Sequence, residues 1–547
     1  MELREWQRRL LNGVRESLKG GKLICLQSPT GSGKTLFSLK AALSVSDRVI
    51  FAVRTHNQYY PVYRELKTHF PERRFSFLVG KALACPLAEE DVDSEDVNCK
   101  PCPLLSSVHL DVNSQPFQFL QEVKRKGKEE GFCPYHSLVA TSMDSDVVVL
   151  TYPYLFIQRF REGIGLNFDD AVLIVDEAHN LDWINEADER TLSLKTIEAA
   201  ISQAKSDEAK KILQNVLAYM KSVAEEEDKY VEVKSIPTVE EYELDILDEE
   251  YQSLSKRMIE EGRIRKNYVN SVLKFLRGIK EGKGKLFSYG GKLVLKYLDP
   301  SIYLSFLNDR DLKVILMSGT MPPEDYIREV WGISRELVYV DVESRVNGMK
   351  WGQREFIVAT DVTSAYSKRG EYMWRKYASY LLRIYHTAEG AVLALAPSYE
   401  IVRKISGLLG NVNIIVENQR TTIEEVSEAV KKGKLLILGV VRGKLSEGIE
   451  ITENGKSLIS DVAILGVPYP VPDDYVKARN AAISSRMGKD NEEYSMRVPA
   501  LIAVKQAIGR AVRSEKDRVR VWLLDKRFDS LWWKIRLRSF NPKKIRL

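Results

Sequence analysis

The sequence predicts an α/β protein with two parallel-sheet units and two long inserts. Three observations support this prediction. A Gly-rich loop at residues 28–35 joins an apolar strand to a helix, a second apolar strand ends in paired carboxylates at residues 176–177, and α/β order returns after residue 342. At 547 residues the chain is too long for one hydrophobic core, so we expect three or four domains.

The composition is that of an ordinary globular protein, with 44% hydrophobic and 29% charged residues. No apolar run approaches the roughly 20 residues that span a bilayer. The first residues also lack the apolar core and cleavage pattern of a signal peptide. We therefore expect a cytoplasmic protein with no membrane partner.

Charge is distributed unevenly along the chain. The formal net charge is only +6, but residues 501–547 hold fourteen Lys and Arg against four Asp and Glu, whereas residues 225–228 are all acidic. This asymmetry fits a path for a polyanion along one part of the molecule. The alternative is a charged face that contacts only solvent.

The loop at residues 28–35 has the strand–loop–helix order of a phosphate cradle. In such a loop the backbone N–H groups point at the anion, the lysine reaches the β- and γ-phosphates, and the last hydroxyl holds Mg²⁺. Ser28 stands where the general pattern has glycine, and a simple Gly-rich turn is the alternative. The residues predicted to bind nucleotide and Mg²⁺ are Ser28, Thr30, Gly31, Ser32, Gly33, Lys34 and Thr35.

Two carboxylates end the apolar run at residues 171–175. Asp176 is predicted to bind Mg²⁺, directly or through water, and Glu177 to orient or deprotonate an attacking water. Together with Lys34 they form the predicted catalytic set on this side. The alternative is that both carboxylates only cap the next helix.

Four of the five cysteines lie between residues 85 and 133, in a loop-rich stretch. Clustered cysteines in a cytosolic chain favour a metal centre over disulfides, and four thiolates can hold either zinc or an iron–sulfur cluster. One close pair with two single cysteines is unlike a zinc ribbon, and three of the four precede proline, which favours iron–sulfur. The predicted ligands are Cys85, Cys99, Cys102 and Cys133.

A second insert, at about residues 195–285, has helical periodicity without evident strands. Its apolar stripes are predicted to form a core of its own, and a Gly290-Gly291 turn predicts a hairpin after it. The second α/β unit follows, with its clearest strands at residues 391–396 and 435–440. Arg510 and Arg513 lie three apart on one face of a predicted helix and are candidate arginine fingers. Nucleic-acid contacts or surface ion pairs are the alternatives.

Ligands bind at the carboxyl edge of a parallel sheet, so residues just after strands are candidate contacts. Thr55 follows the strand predicted at residues 48–54, and Tyr152 follows the one at residues 146–150. Lys444 comes shortly after the strand at residues 435–440. Phosphate charge and aromatic stacking make these three candidate contacts for a nucleic-acid strand.

The ordered set of motifs resembles superfamily-2 helicases. The set consists of the Gly-Lys-Thr loop, Asp-Glu-Ala-His at residues 176–179, Ser-Gly-Thr at residues 318–320, and residues 506–513. The four cysteines before Asp176 and the helical insert after His179 narrow the resemblance to the xeroderma pigmentosum group D (XPD) helicase family, in an archaeal form. The match covers essentially the whole chain.

The resemblance implies two RecA-like P-loop motor domains with an iron–sulfur insertion, carrying a [4Fe–4S] cluster, and a mainly helical arch insertion. The first motor domain would comprise residues 1–70, 145–195 and 300–335. The cluster domain would comprise residues 71–144, the arch residues 196–299, and the second motor domain residues 336–547.

The resemblance also implies residue roles. A glutamine near the N-terminus of such helicases reads the adenine edge, which points to Gln7 with Arg4, although both could be surface-helix residues without a role. Gln506 would join the nucleotide site. One departure is Glu450, where the family usually has aspartate after Glu-Gly-Ile. The residues that would couple hydrolysis to movement are Ser318, Gly319 and Thr320.

The implied activity is ATP-driven 5′-to-3′ translocation on single-stranded DNA and unwinding of forked duplex, in nucleotide excision repair. The implied protein is a monomer associated with the nucleoid, with repair proteins as candidate partners. Two rival hypotheses stay open. One is a DNA-dependent ATPase that translocates without separating strands and holds zinc, and the other is a nucleotide-gated DNA-binding scaffold.

Overall fold

Two seven-stranded sheets form the centre of the structure, a computed structural model that describes residues 3–346, 351–418, 420–445, 451–453, 455–490 and 492–547. Every strand pair in these two sheets is parallel. Their strands are apolar runs because helices cover both faces of each sheet. The predicted α/β class is confirmed.

In the first part of the chain, the strands of the helical insert lie between the first five and the last two strands of the first sheet. In chain order they are β1 (Leu23–Gln27), β2 (Val49–Val53), β3 (Phe75–Phe77), β4 (Val147–Thr151), β5 (Val172–Asp176), β6 (Arg190–Ser193), β7 (Val231–Glu232), β8 (Lys285–Tyr289), β9 (Lys292–Lys296), β10 (Lys313–Ser318) and β11 (Leu337–Asp341). The first sheet has the order β11–β1–β10–β5–β2–β4–β3. The insert contains the antiparallel sheet β6–β9–β8–β7.

The second sheet lies in the rest of the chain. Its part of the chain contains β12 (Gln353–Ala359), β13 (Ala391–Ala396), β14 (Ile414–Val416), β15 (Leu436–Val440), β16 (Thr452–Glu453), β17 (Lys456–Ser457), β18 (Ile459–Ile464), β19 (Arg518–Leu523) and β20 (Lys543–Ile545). The order is β14–β15–β13–β18–β19–β12–β20, and within the described part of the chain β16 and β17 form a separate two-stranded sheet. We call the two sheets with their covering helices the first unit and the second unit.

The helices connect and cover the strands. They are α1 (Glu5–Lys19), α2 (Lys34–Leu43), α3 (Tyr59–His69), α4 (Lys81–Ala84), α5 (Pro116–Glu130), α6 (Pro134–Met143), α7 (Tyr152–Phe156), α8 (Gln158–Ile164), α9 (Leu194–Gln203), α10 (Asp207–Val223), α11 (Glu241–Glu260), α12 (Tyr268–Glu281), α13 (Ser301–Leu304), α14 (Glu324–Glu329), α15 (Val342–Arg345), α16 (Glu371–Thr387), α17 (Tyr399–Ser406), α18 (Ile423–Lys432), α19 (Asp474–Met487), α20 (Val498–Arg510) and α21 (Leu531–Leu537). Short 3₁₀ segments include Ala178–Asp188, directly after Glu177. None of the described helices is both long and apolar enough to cross a bilayer.

Two strands lie on the other side of the predicted domain boundaries. β3 falls inside the range 71–144 predicted for the cluster domain, yet it pairs with β4 in the first sheet. β11 falls beyond residue 335, yet it pairs with β1 in the same sheet. β3 has only three residues, which are too few to show the alternation of a strand in the sequence. β11 is assigned to the first unit by its pairing with β1.

The helical insert has a core of its own, as predicted. Helices α9 to α12 pack on β6, β8 and β9 around a cluster that includes Ile212, Met220, Val272 and Leu276. Ile264 is an exception, because it packs beside the cysteines and its N–H donates to the Leu87 carbonyl at 2.7 Å. The insert is therefore docked on the cysteine-containing stretch.

Candidate active site

The loop at residues 28–35 joins β1 to α2 at the carboxyl edge of the first sheet. Gly31 and Gly33 have φ angles of +78° and +89°, which side chains rarely tolerate. Ser28 is fully buried, and its hydroxyl shares a 2.6 Å hydrogen bond with that of Ser32. Because α2 begins at Lys34, its N-terminus adds positive potential to the loop. This geometry suits an anion.

Lys34 joins the loop to the paired carboxylates that follow β5. Its ammonium lies 2.5 Å from Glu177 Oε1 and 3.2 Å from Asp176 Oδ1. Burial alone would lower the pKa of Lys34, but the two carboxylates raise it above its usual range. The structure therefore brings together the three residues predicted to form the catalytic set on this side.

The two carboxylates have different electrostatic environments. Burial raises the pKa of Asp176 above its ordinary value although Lys34 acts in the opposite direction. Burial would also raise the pKa of Glu177, but Lys34, His179 and Arg510 lower it to about 2. Glu177 is held in left-handed backbone with φ of +51°, a conformation that costs a non-glycine residue roughly 1–2 kcal/mol. Such local strain commonly marks a functional position.

His179 connects this centre to the second unit. Its Nδ1 lies 2.7 Å from Ser318 Oγ and its Nε2 hydrogen-bonds the Gln506 amide nitrogen. Burial lowers the pKa of His179 to about 4, so the ring is neutral at neutral pH. With the Gln506 amide nitrogen as donor, Nε2 accepts and the neutral ring carries its proton on Nδ1, which faces Ser318 Oγ and Glu177 Oε2.

The Ser-Gly-Thr segment lies between the loop and His179. Ser318 Oγ accepts the Thr320 N–H at 3.0 Å. A Cβ added at Gly319 would lie 3.3 Å from Thr30 Oγ1, so the segment passes close to the loop. Ser318, Gly319 and Thr320 thus lie beside both the loop and His179, and their role in coupling stays a prediction.

The second unit contributes arginines to the same cleft. Arg510 and Arg513 line it together with Thr30, Glu177 and His179. The prediction that both arginines lie on one helical face is wrong, because α20 ends at Arg510. The main-chain N–H of Arg513 instead donates to Asp517 Oδ2 at 2.7 Å in the turn that follows. Both side chains nevertheless line the cleft.

Arg4 and Gln7 contact the main chain of the loop. The Arg4 guanidinium donates to the Gly31 carbonyl at 3.0 Å, and the Gln7 amide to the Gly33 carbonyl at 2.9 Å. Gln7 is only 2% exposed, and its amide oxygen accepts the N–H of Arg4. Recognition of adenine by these two residues stays a prediction.

The three candidate nucleic-acid contacts lie in different environments. Thr55 is exposed at the end of β2, and Lys444 is exposed beyond the end of β15. Tyr152 is only 4% exposed, and its hydroxyl donates to the Asp176 carbonyl. Tyr152 therefore also supports the end of β5. The departure noted at Glu450 lies outside the described residues.

A cavity of about 570 Å³ lies between the units, on the other side of His179 and Gln506 from the loop. Tyr152 lines it, together with Arg54, Trp183 and Arg442. The Arg442 guanidinium lies 5.4 Å from the centre of the Trp183 ring. The sequence-based predictions do not include Trp183 or Arg442. The sequence signal was weak, because it consisted of Arg442 just after the strand predicted at residues 435–440.

The four cysteines of residues 85–133 are unbridged and partly buried. Burial, with the charge of neighbouring cysteines including Cys102, raises the pKa of Cys85, Cys99 and Cys133. Because the charges of these thiols affect one another, the four cysteine side chains lie in the same neighbourhood. Among the described residues, however, no three His, Cys, Asp or Glu side chains are placed to hold a single metal ion.

The site combines a phosphate-binding loop and its lysine, paired carboxylates, and arginines from across a cleft between two parallel-sheet units. This combination defines the class of two-domain helicase ATPases. A DEAD_2 family model matches residues 51–197, and a helicase C-terminal domain model matches residues 381–542. The ATP-dependent DNA helicase XPD of Sulfolobus acidocaldarius is 44% identical over 552 aligned residues, which cover all of both chains. The chain belongs to the XPD helicase family, as predicted.

Solved structures agree with this assignment. One described as an XPD helicase has a TM-score of 0.90 and 43% identity, with complete coverage of both chains. Another, described as XPD in the apo form, has a TM-score of 0.79 and 40% identity over 98% of this chain and all of the other. The two sheets are therefore RecA-like domains, as predicted.

Proposed function

We propose that this chain is an ATP-dependent DNA helicase that moves 5′ to 3′ along single-stranded DNA and acts in nucleotide excision repair. One observation carries the ATP-driven part. Glu177, Arg510 and Arg513 line one cleft between the units, and Lys34 pairs with Glu177 and Asp176 beside it. Membership of the XPD family supports the DNA substrate. A monomer in the cytoplasm, with repair proteins as partners, belongs to the same proposal.

In this proposal Lys34 changes partners during the cycle. Its contacts with Asp176 and Glu177 neutralise a buried pair of carboxylates before nucleotide binds. Phosphates in the loop then attract Lys34, and Glu177 is released to orient the attacking water. Thr35 and Asp176 would hold Mg²⁺, which neutralises charge on the phosphates. Arg510 and Arg513 would stabilise the charge that develops on the γ-phosphate.

The same network can couple hydrolysis to movement. Glu177 Oε2 lies 3.4 Å from His179 Nδ1, and His179 connects Ser318 of the first unit with Gln506 of the second. A change in the position of Glu177 would therefore act on His179 directly, and through it on the contact with Gln506 of the second unit. The cavity lined by Trp183 and Arg442 borders this contact, and its arginines are suited to the phosphates of a nucleic-acid strand.

Unwinding assays on tailed duplexes test this function. We expect ATP-dependent strand separation with a 5′ single-stranded tail and about tenfold less with a 3′ tail. Separation that prefers a 3′ tail would overturn the polarity. ATPase activity stimulated by DNA without unwinding would favour the translocase, and DNA binding without ATP turnover would favour the scaffold.

We further propose that Cys85, Cys99, Cys102 and Cys133 hold a [4Fe–4S] cluster. The fit rests on four unbridged, partly buried thiols that influence one another electrostatically, three of which pack against a small apolar cluster. Backbone groups that follow Cys85 and Cys133 act against burial and favour the thiolate form, because they lower the pKa of these two thiols. The cluster would supply a rigid cross-link to a stretch with little core of its own.

Iron content tests the cluster. Protein purified without oxygen is expected to be brown, with about four iron atoms per chain. Cys102→Ser is expected to remove most of the iron, whereas Cys25→Ser, at the buried fifth cysteine in β1, should keep it. Colourless protein with stoichiometric zinc would contradict the proposal.

The proposed cluster domain lies within residues 71–144 without β3, and the first motor domain includes β11.

A further inference from the structure

Four consecutive carbonyl groups of the loop each accept a hydrogen bond from a side chain outside it. Three donors come from the first turn of α1 and its N-cap, and the fourth is Trp351, just before β12. The bonds are Trp351 Nε1 to Thr30 O at 3.1 Å, Arg4 Nη1 to Gly31 O at 3.0 Å, Trp6 Nε1 to Ser32 O at 3.2 Å and Gln7 Nε2 to Gly33 O at 2.9 Å. These four contacts hold the main chain of the loop in place, and the N–H groups of such a loop can bind an anion. The Ser28 and Ser32 N–H groups are already used, since they donate to the Ser318 and Pro29 carbonyls.

Trp351 differs from the other donors because it belongs to the second unit. It is 2% exposed and belongs to the hydrophobic cluster of the second sheet, which also includes Val512. The Arg4 guanidinium lies 5.3 Å from the centre of its indole ring. The Trp351 ring is therefore anchored in one unit while its N–H supports the loop of the other.

A second contact beside it makes this arrangement specific to docked units. A Cβ added at Gly31 would lie 2.5 Å from the Arg513 carbonyl oxygen, so the main chain of the second unit rests directly on the loop. Asp517 braces that turn, since its side chain accepts the N–H of Arg513 and its carbonyl accepts the Gln353 N–H at 2.8 Å. Trp351 and the Arg513 turn thus form one support.

We propose that Trp351 is a positioning residue for the nucleotide, because its indole N–H orients the Thr30–Gly31 peptide for phosphate binding whenever the two units are docked. This inference rests on the proposed function of the loop. It adds that the strength of nucleotide binding depends on a side chain of the second unit, which lines the same cleft and supports the loop from that side. Loss of one hydrogen bond of this kind corresponds to roughly a threefold to tenfold effect on an equilibrium.

The test uses Trp351→Phe in the full chain, which keeps a ring in the cluster and removes only the N–H donor. We expect the KM for ATP to rise about threefold to tenfold while kcat stays within about twofold. The matched control is Trp522→Phe in β19, a buried tryptophan of the same unit whose indole donates to Asp461 at 2.7 Å, away from the loop. The control should leave KM unchanged.

Direct titration with a nonhydrolysable ATP analogue separates the possible failures. If the wild-type protein does not bind the analogue, the proposed function fails. If it binds and Trp351→Phe binds equally tightly, only this inference is overturned. Equal thermal unfolding midpoints of the two phenylalanine variants, with a KM change in Trp351→Phe alone, would support positioning over a general loss of packing.

Discussion

Replacement of Glu177 by glutamine is expected to lower DNA-stimulated ATP turnover by about a hundredfold or more while nucleotide binding persists. The amide keeps the size of the side chain but cannot accept a proton from the attacking water. It also removes the 2.5 Å ion pair with Lys34, so the lysine is more available to phosphate. Turnover is measured by phosphate release with and without single-stranded DNA, and binding by titration with a fluorescent nucleotide.

The control for this prediction is Glu371→Gln, the same chemical change at an exposed glutamate on α16. Its turnover should match that of the wild type. Lys34→Ala is the complementary variant, and we expect it to lose nucleotide affinity as well as turnover because no other side chain of the loop carries a positive charge. Glu177→Gln with turnover within threefold of the wild type would contradict the role assigned to this carboxylate.

The second large effect is expected at Arg479, on α19 of the second unit. Its guanidinium donates to the side chain and main chain of Asp182 in the first unit, and the two side chains are 3% and 2% exposed. The Tyr326 hydroxyl also donates to Asp182. Removal of one partner leaves a buried charge, so Arg479→Met is expected to lower the free energy of unfolding by about 3–5 kcal/mol.

Urea unfolding followed by circular dichroism measures this loss. Lys477→Met, two residues away in an exposed pair with Asp474, should change stability by no more than about 0.5 kcal/mol. The double variant Asp182→Leu with Arg479→Met removes both charges, and it should recover much of the loss. A single variant as stable as the wild type would show that this ion pair does not hold the units together.

The local motifs were readable from the sequence because their geometry depends on neighbouring residues. The Gly-Lys-Thr loop lies between an apolar strand and a helix, and Asp176 and Glu177 directly follow another apolar strand. Parallel strands bring their carboxyl ends to one edge, so these motifs had to meet once both strands entered the same sheet. The family resemblance followed from the order of these motifs and is confirmed.

Features that depend on distant pairing were not readable. β3 has only three residues, and the membership of β3 and β11 in the first sheet depends on pairing with β4 and β1. The end of α20 at Arg510 precedes the turn held by Asp517, which local periodicity does not reveal. The burial of Tyr152 depends on the packing of β5 beside it.

The sequence by itself determined the class of this protein, since the loop, the carboxylates and the arginines follow one another in an order that specifies a two-domain helicase ATPase. The tertiary structure alone decided how the two units support each other. Trp351 lies 321 residues from Thr30, and Arg479 lies 297 residues from Asp182. Such contacts have no local sequence signature, because packing of whole domains rather than spacing along the chain brings these residues together.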